Sequence, residues 1–497
     1  MELEFDKRGL LCLKPLLQEV QTQEQTQELR LSEGMPDLGR ILGTWGQVIL
    51  RSKEWQGDRV GITGGVMAFV LYAPEDGSGP RVMESWIPFQ MKWDLENSQR
   101  EGELRVQTLL RFLDARVVSA RKIMLRCGIG AMAQAMRQET VMVSVPGQLP
   151  EDIQILKNRY PLRLPKSAGE KSFQLEETLE LPSSMSNSRS LVGYALEPKV
   201  QECRMVSGKL VIRGSAVLHV VCLSEENRLS GCDLEVSFSQ LAEPEGELSA
   251  DARGDVRMAV TGMELDLDPE GKLQLKANLL AQFLVDDREI LELTEDAYSP
   301  GRQVQPRVQE LDLPQILDQQ NLNIPIRQTI RQSGKEIADV TYLPDYPTLR
   351  RGPVTRVELP GQFQVLWYDD QDVLQSANAR TEENREIPAA EAARMDVTVL
   401  PGAAPSAGAG NGIELKGETV LDITTTSCRG LSMVTGLTIG EETQREPNRP
   451  SLILRRAGNA GLWSIAKGTG STVSAIQKAN ALEDEPSPEQ ILLIPVS

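Results

Sequence analysis

Three stretches decide how this chain folds: VGITGGVMAFVLY (Val60–Tyr72), LVIRGSAVLHVVCL (Leu210–Leu223) and VELPGQFQVLWY (Val357–Tyr368). Each consists of two β-prone runs meeting at a glycine, Gly64, Gly214 or Gly361, and the three glycines are nearly equally spaced. Counted from the glycine, the position four back holds Val60, Leu210 and Val357, and the position two back holds Ile62, Ile212 and Leu359. The position six forward holds Val70, Val220 and Trp367. Apolar residues at even offsets put one face of a strand against a core, and a glycine in mid-strand marks a bulge or bend. One bent strand is therefore expected three times, with Val66, Ala216 and Phe363 on its buried face.

The pattern extends outward from these strands. Upstream, LRLSEGMPDLGRILGTWGQV and LELPSSMSNSRSLVGYALEPKV are each a polar-apolar alternation, a short polar break and a further apolar run. Downstream, the turns PEDGSGP, SEENRLSG and DDQD precede another alternating stretch. A chain of 497 residues is too long for one core. The reading is a mainly β fold, with three β-rich units in tandem over 1–160 (including an N-terminal segment), 170–300 and 315–445, and a small module over 450–497. Linkers are expected at Pro161–Gly169, Ser299–Pro314 and Glu446–Pro450, where prolines and polar residues favour exposed chain. Pro401–Gly412 reads as a flexible loop inside the third unit. Asp114–Arg137 fits either two strands or a helix.

Composition narrows the function. Hydrophobic residues at 40% and charged residues at 25% are ordinary for folded protein. A formal charge of −18 repels phosphate backbones and anionic lipid, which argues against nucleic acid and direct membrane binding. The start, MELEFDKRGLLCLKPLL, is acidic where a secretory signal is basic, and no apolar run is long enough to span a bilayer. A cytoplasmic protein is expected. The cysteines Cys12, Cys127, Cys203, Cys222, Cys232 and Cys428 are sparse and form no CxxC pair, so reduced thiols are expected.

The last stretch reads as a β-α-α-β module: a strand at Ser451–Arg455, helices at Leu462–Lys467 and Thr472–Ala479, and a strand at Ile491–Ile494. LWSIAK (Leu462–Lys467), VSAIQKAN ending at Asn480 and ILLIP (Ile491–Pro495) make it resemble the LysM family. That resemblance implies a groove formed by Asn459, Ala460, Gly461, Leu462 and Trp463 on one side and Asn480, Ala481 and Leu482 on the other. LysM modules often bind N-acetylglucosamine polymers there. In this chain Asn459-Ala460-Gly461 stands where the family usually has Gly-Asp-Thr, and Pro488-Glu489 stands where it usually has Pro-Gly. These departures favour a protein partner over sugar, with Trp463 either projecting from the helix as an anchor or packing against the module itself.

With ITGGVMAFVLY, the later IPFQ (Ile87–Gln90) and VIRGSAVLHVV, the chain is similar to the SPOCS-domain proteins of endospore formers, and its order of parts resembles that of the SipL-type spore coat morphogenetic proteins. The resemblance implies a non-enzymatic scaffold in the mother-cell cytosol at the forespore surface. Its partners would be a basement ATPase of the SpoIVA kind and other coat proteins. The alternative it leaves open is a peptidoglycan-binding cell-wall protein.

No catalytic, cofactor or metal site is assigned. His219 is the single histidine, and at an odd offset from Gly214 it points away from the core face. AKGTGST (Ala466–Thr472) has its lysine before the glycines, against the order of a phosphate loop. Asp286, Asp287 and Glu289, and Glu483–Glu485, are read as solvated acidic surface.

Overall fold

The computed structural model describes residues 1–96, 102–268, 270–388, 393–427, 430–442 and 450–496. Cys428 and nearly all of the expected linker 446–450 lie outside the described residues.

The chain opens with β1 (Glu2–Glu4) and the long β2 (Asp6–Arg30), then runs through a meander of β3 (Leu38–Gln56), β4 (Arg59–Pro74) and β5 (Arg81–Asp94), followed by β6 (Glu103–Ser119) and β7 (Lys122–Val145). Two antiparallel sheets result, ordered β3-β4-β5 and β2-β7-β6. The ambiguous Asp114–Arg137 thus lies on β6 and β7, where each strand finds a ladder partner. Next come β8 (Gln154–Glu180), β9 (Ser188–Val206), β10 (Lys209–Ser224), β11 (Leu229–Ala242), β12 (Arg253–Leu267) and β13 (Lys272–Tyr298), in sheets β11-β10-β9 and β12-β13-β8.

The following strands are β14 (Arg302–Leu311), β15 (Ile316–Ile330), β16 (Glu336–Pro344), β17 (Thr348–Arg350), β18 (Val354–Tyr368) and β19 (Leu374–Pro388), then β20 (Ala393–Pro401), β21 (Ser406–Gly408), β22 (Ile413–Ser427) and β23 (Leu431–Glu442). Here β18 lies between β19 and the pair β16 and β17, and β22 lies between β15 and β20. The C-terminal part is β24 (Leu452–Arg456), α1 (Leu462–Thr469), α2 (Val473–Asn480) and β25 (Ile491–Pro495). The protein is mainly β, and no helix among the described residues is long and apolar enough to cross a membrane.

The register expected around the three glycines holds. Val66, Ala216 and Phe363 are fully buried, as are Ile62, Ile212, Val220 and Trp367 to within a percent or so. Glycine is required at Gly64 because a Cβ there would collide with the Ile49 carbonyl and the Phe89 ring. At Gly214 it would meet Lys199 backbone and Phe238. The neighbouring strand gives way at these points: pairing slips between Leu50 and Ser52 opposite Gly64, and between Val200 and Glu202 opposite Gly214. Opposite Gly361, β16 ends at Pro344 and β17 resumes at Thr348.

Two expected linkers are instead paired strands. Pro161–Gly169 lies inside β8, matched to β13 from Ile290 to Phe283, with Leu162 and Leu164 buried. Its prolines are accommodated because β8 is the outer strand of its sheet, where a missing N–H leaves no ladder bond broken. Within Ser299–Pro314, residues Arg302–Leu311 form β14, which pairs β23, and β23 also pairs β1. The loop expected at Pro401–Gly412 carries the short β21, laid against β22.

The three pairs of sheets close into a ring. Strand β12 packs against β3, β20 against β9, and β6 against β16. One apolar cluster joins Trp45, Phe69 and Leu71 to Tyr194, Val220 and Leu279, and to Leu366 and Tyr368. The expected separately folded units therefore share apolar packing, since each sheet pair leaves apolar residues uncovered until its neighbours arrive.

Candidate functional site

Two places gather functional chemistry: the centre of the ring with its junctions, and the C-terminal module. At the centre lie buried arginines from β6 and β12. Arg105 is 2% exposed and pairs with Asp255 at 2.7 Å, while donating to Gln134 Oε1 at 3.1 Å. Arg257 donates to Thr398 Oγ1 at 3.3 Å, and its Nε and Nη1 have no hydrogen-bond partner among the described residues. Burial, then the Arg105 charge, depresses Arg257 to about 10. Burial, then Asp255, raises the nearby Asp422 carboxyl to about 6. Gln282 of β13 exchanges two hydrogen bonds with the Val106 backbone, at 2.8 and 2.9 Å, and ties the second unit to the first.

The junction between second and third units is ionic. His219 Nδ1 lies 2.7 Å from Asp233 Oδ1, and its Nε2 lies 3.1 Å from Asp339 Oδ1 as an ion-pair contact without good hydrogen-bond alignment. Asp339 Oδ2 accepts from Trp45 Nε1 of the first unit at 2.8 Å. Burial pushes the imidazole down, but Asp339 and Asp233 outweigh it and hold the pKa up at about 10. His219 points off its own sheet core, as its offset implied, and into a neighbour that sequence spacing could not reveal. Imidazolium held between two carboxylates has no free lone pair for base catalysis.

Asp286 and Asp287 depart from the solvated reading: both are buried, Asp286 paired with Arg163 and Asp287 accepting from Ser249 N and Oγ at 2.7 and 2.6 Å. Among the described residues no group of three or more His, Cys, Asp or Glu side chains is arranged to hold a metal ion. Cys12, Cys127, Cys203, Cys222 and Cys232 are free thiols, and burial raises the pKa of each.

In the C-terminal module, β24 and β25 pair antiparallel, and Leu462, Ile465, Ala466, Ile476, Leu492 and Ile494 form its core. Thr472 caps α2, its hydroxyl accepting from Ala475 N at 3.1 Å. AKGTGST spans the end of α1, with Gly470 in the left-handed region as its cap, a helix stop and not a phosphate cradle. Of the eight residues expected to form a groove, Asn459, Gly461 and Ala481 are exposed, and Ala460 is half-buried. Leu462 and Leu482 serve the core. Asn480 is spent on structure: its Nδ2 donates to Ile476 O and Leu493 O, and its Oδ1 accepts from Leu493 N.

Glu485, read from the sequence as part of a solvated acidic run, has a structural partner. Its carboxylate crosses from the second loop to accept from Leu462 N at 2.9 Å, at the start of α1. It accepts from the first turn of α1, where the N-cap Gly461 offers no side chain, and so ties the loop after α2 to the start of α1.

Trp463 is also placed differently. It is partly buried against Tyr298 at the end of β13, ring centroids 4.8 Å apart and edge-on, and Nε1 donates to Asp296 Oδ2 at 2.8 Å. Lys467 Nζ lies 2.8 and 2.7 Å from the two Asp296 oxygens. The expected outward anchor is thus engaged by its own chain. Burial raises the Asp296 carboxyl, but the hydrogen bonds from Lys467 and Trp463 prevail and lower it. This docking contribution is present at neutral pH and is lost as pH falls through that depressed value. Asp296→Ala is expected to weaken docking by about 1–2 kcal/mol, the worth of charge-assisted bonds at a partly exposed site. Faster hydrogen exchange around Trp463, with the melting of the ring unchanged, is the readout; unchanged exchange refutes it.

In comparison with known proteins, no family model, no curated protein and no solved structure matches this chain.

Proposed function

We propose that the chain is a non-enzymatic scaffold in bacterial endospore coat assembly. In this reading it is built of three tandem SPOCS-type β repeats and a C-terminal LysM-type module, and works in the mother-cell cytosol at the forespore surface. The observation that carries it is the threefold use of one sheet plan: a meander with a pinched glycine in its central strand, packed on a second sheet. A ring of such units is a rigid platform whose outer faces and attached module offer several docking surfaces at fixed spacing. The coat setting, and a basement ATPase of the SpoIVA kind as partner, come from the resemblance of the glycine strands and the C-terminal helices.

For the module, protein docking is favoured over glycan binding. Asn480 is committed to the backbone, and Glu485 spans the loops that would otherwise receive a sugar. The test is a pull-down with the full chain from sporulating cells, together with calorimetric titration with N-acetylglucosamine oligomers. Retrieval of the coat ATPase with no glycan heat supports the scaffold. Micromolar glycan binding without coat proteins restores the cell-wall alternative.

A further inference from the structure

Between the first and second units lies a cleft of about 490 Å³, within the size range of ligand sites. Its apolar lining includes Met67, Phe69, Val82, Leu191 and Leu265, and its rim carries Glu84, Glu264 and Asp266. All three carboxylates are exposed, and none forms an ion pair among the described residues. Their field reaches into the cleft: burial first, then Glu84, Asp266 and Glu264, push the Tyr194 hydroxyl up to about 12. Three carboxylates thus border the cleft with no cationic side chain paired to them among the described residues.

The neighbouring junction shows what such a carboxylate takes when a cation is supplied. Glu84 pairs across its ladder with Phe69, and Asp233 pairs with His219. Phe69 and His219 each stand five residues after their glycine, so the two pairs occupy corresponding places. Between second and third units the cation is internal, His219 on Asp233 and Asp339. Between first and second units Phe69 stands in the place of His219 and meets Tyr194, ring centroids 4.7 Å apart and tilted, and no cation pairs with Glu84 among the described residues.

We propose that this cleft docks an extended basic-apolar segment of a partner protein. A Lys or Arg side chain enters between Glu84, Glu264 and Asp266, and its apolar neighbours lie on Met67, Val82, Leu191 and Leu265. An extended peptide fits better than a free amine because β5, β9 and β12, which all border the cleft, are outer strands of their sheets. Among the described residues each has an edge that no strand of its sheet pairs, although Leu196 N on β9 already donates to Gln47 Oε1. A chain of net charge −18 also steers a basic partner toward it.

The inference adds a docking surface to the scaffold reading and stands on the cleft alone. The probe is a labelled acetyl-Leu-Arg-Leu-Arg-Leu-amide, followed by anisotropy with the full chain. Expected is binding at least about tenfold tighter, roughly 1.4 kcal/mol, than the same peptide with Gln for Arg or than arginine amide. That advantage should vanish in the Glu84→Gln, Glu264→Gln, Asp266→Asn triple variant, whose exposed substitutions leave the melting temperature within a few degrees. Equal binding of the two peptides overturns the proposal, as does equal binding of arginine amide or an undiminished advantage in the variant. A chain that retrieves coat proteins yet ignores the basic peptide sinks only this inference.

Discussion

Ala216→Asp is expected to cost about 4–7 kcal/mol at neutral pH, which corresponds to a carboxyl pKa raised by 3–5 units on full burial. Ala216 is fully buried on the inner face of β10, between Val236 on β11 and Pro198 on β9 in the ladder. Against these apolar partners the carboxylate would have to be taken up neutral or not at all. Val66→Asp in β4 and Phe363→Asp in β18 stand at the same offset and should behave alike, with Phe363→Asp adding a cavity term. The folded pKa of the introduced group lies above its unfolded value. The deficit is therefore smallest below the unfolded pKa and grows as pH rises toward the folded one. Arg213→Asp, one residue before Gly214 and exposed, is the control, expected to stay within about 1 kcal/mol. Equal urea midpoints for Ala216→Asp and Arg213→Asp would mean that the inward face has been misassigned.

Asp339→Ala is expected to cost about 3–5 kcal/mol, because it strips one partner from a buried charge pair. The Asp339 side chain is 1% exposed, and two groups depend on it, the Trp45 indole N–H and the His219 imidazolium. Asp339→Asn keeps an acceptor for Trp45 and loses only the charge, and should fall between wild type and Ala. His219 has a folded pKa of about 10, above its ordinary value, so its contribution is fully present below about 6.5 and is lost as pH rises through about 10. The chain has a single histidine, which makes its imidazole resonances a direct probe. In Asp339→Ala its titration should move down toward neutrality. A histidine that already titrates near 6.5 in the wild type would refute the clamp.

Both predictions start from residues that sequence reading touched, but to different depths. The inward face of the three glycine strands was legible because alternation is a local rule: in a strand successive side chains face opposite ways, whatever lies beyond. The strands and helices of the C-terminal module were legible for the same reason, from a short apolar period. The prolines of Pro161–Gly169 misled because a proline signals a missing donor, and an outer strand tolerates that as readily as a linker does. Asp286 and Asp287 misled because a run of acids says nothing of the Arg163 and Ser249 groups that meet them in space.

The sequence by itself determined the three glycine strands with their inward faces, and the strands and helices of the C-terminal module. Only the tertiary structure decided that the three sheet pairs meet in a ring and that Trp45 reaches Asp339 across 294 residues. It also decided that Trp463 is held by Asp296 and that Glu84, Glu264 and Asp266 surround one cleft. The reason is physical. Strand propensity and side-chain alternation are written in neighbours a few residues apart, whereas ion pairs, junctions and clefts arise where uncovered faces of distant segments find complementary shape and charge. No period in the sequence encodes that match.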